Sequence, residues 1–187
     1  TVLEGHQNWI DSASFSPDGT QIVTASRDNT ARVWDVSTGN STVLEGHQNW
    51  IDSASFSPDS TQIVTASVDS TARIWDMAKG DFMVLEGHQD WVDSASFSPN
   101  GAQVVTTSGD GTARLWNVGT GESMILNGHQ DWVDKANFSP DGTRVVTASK
   151  DDTARVWNLS TGDFMILKGH RGSVFSASFS PDSKQVV

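Results

Sequence analysis

The eight Trp residues of this 187-residue chain fall at 9, 34, 50, 75, 91, 116, 132 and 157, in gaps that alternate between 25 and 16. Gly-His keeps the same beat, recurring every 41 residues without an insertion at Gly5-His6, Gly46-His47, Gly87-His88, Gly128-His129 and Gly169-His170. Residues 46–86 match residues 5–45 at 31 of 41 positions. A period near 40 residues excludes a single irregular domain and demands an array of equal units that bury one another's faces. The unit is 41 residues long, and the chain holds about 4.6 of them.

Each copy has four short segments of strand character and no helical periodicity. In the first they run Ile10 to Phe15, Gln21 to Ser26, Thr30 to Val36 and Ser41 to Leu44. Turn residues separate them at Ser16-Pro17-Asp18-Gly19, Arg27-Asp28-Asn29 and Ser37-Thr38-Gly39. Pro17-Asp18-Gly19, Pro58-Asp59-Ser60, Pro99-Asn100-Gly101 and Pro140-Asp141-Gly142 are turn chemistry, since Pro fixes φ and Gly or Asn tolerates positive φ. No calcium loop of alternating ligands follows them. Four strands joined by tight turns form an antiparallel meander that cannot cover both of its faces alone, and stacking such sheets around an axis gives a β-propeller.

Composition narrows the partners. With 36% hydrophobic and 19% charged residues, and apolar runs no longer than pieces such as Phe82 to Leu85, the expectation is a folded, soluble protein without a membrane span. Lys and Arg total 12 against 23 Asp and Glu, a net charge of -11 that repels phosphate backbones and anionic lipid. Neutral or basic protein and peptide partners are expected, and nucleic acid and membranes are not. The absence of Cys excludes disulfides, thiolate metal sites and Cys nucleophiles. No cofactor or metal is expected. The location carried forward is cytoplasmic, although lack of Cys fits other compartments equally.

The residues resemble a known family. Gly-His, about 26 further residues and then Trp-Asp, with Phe-Ser-Pro-Asp-Gly between them, is similar to the WD-repeat (WD40) β-propeller signature. The dipeptide stands as Trp34-Asp35 and Trp75-Asp76, and as Trp116-Asn117 and Trp157-Asn158 in the next two copies. The resemblance implies an all-β fold of four-stranded blades. Residues 1–4 would be the outer strand of a shared blade, 5–45, 46–86, 87–127 and 128–168 four complete blades, and 169–187 a partial fifth. Because such propellers usually have seven blades, the expectation is a portion of a longer propeller or chains that together close one ring. Seven at this period would need about 287 residues.

The family's pattern also implies a hydrogen-bonded tetrad of a loop His, a second-strand hydroxyl, a turn Asp and a third-strand Trp. We assign His6, Ser26, Asp28 and Trp34; His47, Ser67, Asp69 and Trp75; His88, Ser108, Asp110 and Trp116; and His129, Ser149, Asp151 and Trp157. Thr24, Thr65, Thr106 and Thr147 share the strand face with these Ser residues and are alternatives for the hydroxyl. A neutral His satisfies all members. The rival readings, a Ser-His-Asp hydrolase or a His metal ring, fail on repetition. Four equivalent catalytic centres without a glycine elbow would be unusual, and one His per blade cannot converge to bonds of about 2 Å.

The candidate partner-binding residues lie around one rim. Trp9, Trp50, Trp91 and Trp132 stand three residues after each His, and Asp11, Asp52, Asp93 and Asp134 follow at the start of the first strand. By family topology that strand lines the central channel. These residues either offer an aromatic and acidic mouth to a cationic peptide or pack between blades without touching a ligand. Arg27, Val68, Gly109 and Lys150 differ at one turn position on the same rim. Lys135 replaces a Ser of the first strand, with Asn137 after it, and is expected as a counter-ion to the acidic ring. The fifth copy has Arg171-Gly172-Ser173-Val174-Phe175 in place of the Trp-containing segment.

The fold and family pattern imply a non-enzymatic scaffold, because fold alone does not specify chemistry. Similar near-identical propellers end bacterial and fungal signalling or defence proteins, which implies a sensor portion of such a protein. Self-assembly into a closed ring is the second expectation, and an enzyme or lectin-like domain the third.

Overall fold

The computed structural model describes residues 2–187, so the expected outer strand at residues 1–4 begins outside them at Thr1. Among the described residues there are sixteen strands in four antiparallel sheets and no helix, hence none long and apolar enough to cross a membrane. The first sheet is β1 (Ile10–Phe15), β2 (Gln21–Ser26), β3 (Ala31–Asp35) and β4 (Ser41–Leu44) in that spatial order. The second is β5 (Ile51–Phe56), β6 (Gln62–Ser67), β7 (Thr71–Asp76) and β8 (Asp81–Glu86). The third is β9 (Val92–Phe97), β10 (Gln103–Ser108), β11 (Thr112–Asn117) and β12 (Ser123–Asn127). The fourth is β13 (Val133–Phe138), β14 (Arg144–Ser149), β15 (Ala154–Asn158) and β16 (Phe164–Leu167). The chain is therefore an all-β array of propeller blades.

The third strand of the first copy is shorter than the expected Thr30 to Val36. At its lower end Ala31 pairs with Leu44, the last residue of β4, whereas in the second sheet β8 runs on to Glu86 and pairs Thr71 of β7. At its upper end Val36 N–H donates to the Thr20 carbonyl, one residue beyond the last β2–β3 pair, Gln21 with Asp35. The fifth copy forms no full strands; a single bridge joins Phe179 and Val186.

Alternation along each strand explains the stacking. On β6, Ile63 faces the first sheet with Trp75, while Val64 and Ala66 face the third. Each apolar layer therefore belongs to two sheets: Val23, Ala25 and Val33 of one meet Ile51, Ile63 and Trp75 of the next. First strands adjoin in sequence, β1 to β5, β5 to β9 and β9 to β13, and this sets them on the inner side. Small residues there permit close approach. Ser14 Oγ donates to the Ala54 carbonyl at 3.2 Å, and Ala54 N–H donates to Ser12 Oγ at 3.1 Å. Ser53 and Ser55 repeat the pair against Ala95. Asn137 keeps part of it, donating from Nδ2 to the Ala177 carbonyl at 2.8 Å.

One glycine in each of the four complete repeats lies against the guanidinium of the recurring arginine. A Cβ on Gly5 would stand 2.8 Å from Arg32 Nη1 and 3.0 Å from its Cζ. The equivalent Arg73 guanidinium lies against Gly46 and over the Phe82 ring, at 4.5 Å.

Candidate functional site: an aromatic and acidic rim

Four polar clusters support the rim from below. Trp34 Nε1–H donates to Thr24 Oγ1 at 2.9 Å, the Thr24 hydroxyl donates to His6 Nε2 at 2.7 Å, and His6 Nδ1–H donates to Asp28 Oδ2 at 2.8 Å. The same chain of bonds links Trp75, Thr65, His47 and Asp69; Trp116, Thr106, His88 and Asp110; and Trp157, Thr147, His129 and Asp151. The hydroxyl is thus the threonine, and the assignment of Ser26, Ser67, Ser108 and Ser149 is corrected. Those serines hold the next turn instead. Ser26 Oγ donates to the Asn8 carbonyl and accepts the Asp28 N–H, and the other three repeat this pattern. The physical reason is distance along the ladder: Thr24 pairs with Arg32, two residues before Trp34, whereas Ser26 lies at the strand end beside Ile10.

Electrostatics agree with a neutral imidazole. Burial lowers the pKa of His47, His88 and His129 against the raising effect of their Asp partners. Burial would raise the Asp partners, but hydrogen bonds outweigh it. Thr30 Oγ, Gln7 N–H and His6 hold Asp28 far below the usual carboxylate range, and Asp110 and Asp151 are held to about 2 by the corresponding groups. The Thr65, Thr106 and Thr147 side chains are fully buried between an indole and an imidazole, where no substrate reaches them. Among the described residues no three His, Asp or Glu side chains gather as a metal site would need. A residue the sequence reasoning missed closes each cluster from outside: Arg32, Arg73, Arg114 and Arg155, recurring two places before each tetrad Trp.

Above the clusters, each first strand opens with a β-bulge. Ile10 pairs with Ser26 and Ser12 with Ala25, which leaves Asp11 as the extra residue; Asp52, Asp93 and Asp134 occupy the same position. A bulge turns a side chain out of the strand's alternation, and here it turns one carboxylate per sheet toward the rim. The turn after the second strand is tied to the same place. Arg27, Val68, Gly109 and Lys150 each donate a backbone N–H to the carbonyl of the rim Trp of their own repeat, at 2.9 to 3.0 Å. Four different side chains thus start from one backbone frame.

What those side chains do differs by repeat. The Arg27 guanidinium lies between two indoles, 5.0 Å from the Trp9 ring centre and 4.8 Å from that of Trp50. It also makes a two-pronged ion pair with Asp11, Nε to Oδ2 at 2.9 Å and Nη2 to Oδ1 at 3.0 Å. Lys150 Nζ sits 3.7 Å from the Trp132 ring centre and 3.9 Å from Asp134 Oδ1. Trp91 and Trp132 meet edge to face at 5.6 Å. The rim Trp residues are therefore not packed away between sheets: Trp9 is 72% exposed, Trp50 and Trp91 about 40%. Lys135, expected beside the acidic ring, is exposed and makes no ion pair among the described residues; Arg27 and Lys150 are the counter-ions.

The middle carboxylates, Asp52 and Asp93, have no ion-pair partner of their own among the described residues. Burial and the nearby Asp11 raise Asp52 to about 6, against the lowering effect of Arg27. Burial, Asp134 and Asp52 raise Asp93 to about 7, and its Oδ2 is buried without a hydrogen-bond donor.

The WD domain, G-beta repeat family matches this chain five times, over residues 1–35, 39–76, 81–117, 121–158 and 163–187. The chain belongs to the WD-repeat family. Its similarity to individual curated proteins is confined to single repeats. It is 46% identical over 35 residues to Lissencephaly-1 homolog 1 of Paramecium tetraurelia, covering 19% of this chain and 9% of that protein. It is 51% identical over 39 residues to the probable cytosolic iron-sulfur protein assembly protein 1 of Chaetomium globosum, covering 20% and 9%. It is 45% identical over 38 residues to the protein pleiotropic regulator PRL2 of Arabidopsis thaliana, covering 20% and 8%. The match thus spans under a tenth of the length of each of these relatives. WD repeats are protein-interaction scaffolds, and this chain has the repeats throughout.

Proposed function

We propose that this WD-repeat chain is a non-enzymatic recognition module that holds a neutral or basic protein segment on its Trp and Asp rim, as the sensing portion of a larger signalling or defence protein. The observation that carries this reading is the coincidence, at one end of the array, of four bulged Asp residues with four Trp residues and a turn whose side chain alone varies. Aromatic faces beside carboxylates recognise cations and give large contact area at little conformational cost. The negative net charge adds long-range attraction for basic segments.

Panning a random peptide library on the immobilised chain is expected to enrich sequences of positive net charge. Their affinity should fall at least tenfold in Trp50→Ala/Trp91→Ala, with the variant's melting transition remaining cooperative. Enriched peptides that bind the double variant unchanged would place recognition elsewhere.

A second reading, self-assembly into a closed ring, is favoured by a separate observation. Ile10 and Phe15 are 49% and 64% exposed, whereas their equivalents Ile51 and Phe56, covered by the preceding sheet, are 0% and 8% exposed.

A further inference from the structure

The first repeat holds, within its own chain, an example of what the rim binds. Arg27 is seated by four groups: the Trp9 and Trp50 rings on either side, Asp11 in a two-pronged ion pair, and Asp52 as a second negative neighbour. The next repeat presents the same four groups one sheet along, as Trp50, Trp91, Asp52 and Asp93, on the same bulge and the same backbone frame. The side chain that starts from this frame is Val68, which brings no charge.

We infer that the seat formed by Trp50, Trp91, Asp52 and Asp93 binds the guanidinium of an arginine side chain from a partner peptide, with Asp52 as its two-pronged partner and the two indoles as its walls. This rests on the rim reading above and names the ligand chemistry of that rim. Three features single out this seat. The seat one sheet further is closed, because Trp91 and Trp132 touch edge to face and Lys150 already covers Trp132. The outer seats have their own cations, Arg27 at Asp11 and Lys150 at Asp134. Between them, neither Asp52 nor Asp93 has a cation within ion-pair distance among the described residues. The raised pKa values of both carboxylates agree with a site whose charge is balanced on binding. A planar guanidinium fits better than an ammonium, since it can lie flat between two rings and bond a carboxylate edge-on at once.

The test uses the 187-residue chain and three probe peptides, acetyl-Gly-Arg-Gly-amide and its lysine and citrulline counterparts, followed by the indole N–H resonances in NMR titrations. The arginine peptide should shift Trp50 and Trp91 and bind at least tenfold more tightly than the citrulline peptide, with lysine between. The variant Val68→Arg supplies the guanidinium from within the chain. It should weaken arginine-peptide binding at least tenfold while retaining a melting temperature at or above the parent's. Asp52→Asn should weaken it similarly and flatten the salt dependence. Equal binding of arginine and citrulline peptides, or unchanged binding by Val68→Arg, would overturn the arginine seat. If Val68→Arg leaves peptide binding intact while Trp50→Ala/Trp91→Ala abolishes it, the rim reading survives and only the seat fails. If neither variant changes it, both fail.

Discussion

Thr65 stands where an indole N–H, an imidazole nitrogen and a strand meet, and its hydroxyl serves two partners at once. Its neighbour Ser67, two residues on, serves only the turn. The two residues are indistinguishable by side-chain alternation, which is why the sequence left them both open. The ladder pairing of Thr65 with Arg73, one turn of the pleat from Trp75, decides between them. Thr65→Val keeps the shape and removes both bonds, leaving the indole N–H and the imidazole Nε2 buried without a partner. A loss of about 2–4 kcal/mol is expected, because two buried groups each lose roughly 1–3 kcal/mol of satisfaction. Thr65→Ser keeps the hydroxyl and should cost no more than about 1 kcal/mol, the value of one buried methyl. Urea unfolding of the pair measures the difference, and equal losses would deny the tetrad its energetic role.

At the scale of the element, the strands were legible because apolar alternation and Pro-Asp-Gly turns state both period and boundary. All six boundaries of the first repeat's β1, β2 and β4 follow that logic, and β3 is shorter at both ends, at the lower one because β4 stops at Leu44 and leaves Thr30 without a ladder partner. The bulges were not legible. Nothing in Trp-Ile-Asp-Ser marks Asp11 or Asp52 as an extra residue, since a bulge is a property of two paired strands and not of either alone. The same holds for the rim: the residue types announced cation binding, but that Arg27 would fill its own seat depended on the spacing between sheets.

The bulge also has a pH signature. Asp93 faces Asp52 on β5, Asp134 on β13, Lys150 after β14 and Asp90 in its own loop, and it is raised from 3.8 to about 7. A carboxylate whose folded pKa is raised binds more protons folded than unfolded, so its contribution falls as pH rises from about 4 through 7. The tetrad groups act in the opposite sense. Asp110 and Asp151, held at about 2, lose their contribution as pH falls from about 4 to 2, and the lowered His residues lose theirs as pH falls through 6.5. Asp93→Asn should therefore stabilise the chain by on the order of 1 kcal/mol at pH 8, after allowance for solvent screening, and leave it unchanged near pH 4.5. Melting temperatures at the two pH values test this, and an equal shift at both would remove the charge explanation.

For the whole molecule, the relevant fact is that each inner sheet offers one apolar set to the sheet before it and a different set to the sheet after it. The face of the first sheet that carries Ile10, Phe15 and Val36 is 40 to 64% exposed at those residues. At the far end Phe175 and Val187 are similarly bare, at 68 and 84%. Apolar surface of this kind seeks cover. In isolation the 187-residue chain is expected to sediment as concentration-dependent oligomers, and Phe15→Glu to shift the distribution toward monomer while leaving far-UV circular dichroism unchanged. A single monomeric species for the parent at every concentration would show that the bare face needs no partner.

The turn position of Arg27, Val68, Gly109 and Lys150 hangs on one hydrogen bond to a Trp carbonyl that takes no notice of the side chain. Such a design separates the letter from the page it is written on. Each repeat can be rewritten at that position, or exchanged whole for a neighbour in register with 41 residues gained or lost, and every joint beneath it closes as before. A lineage carrying these copies could thus revise the side chains its rim presents by shuffling units, without once renegotiating how the units hold together.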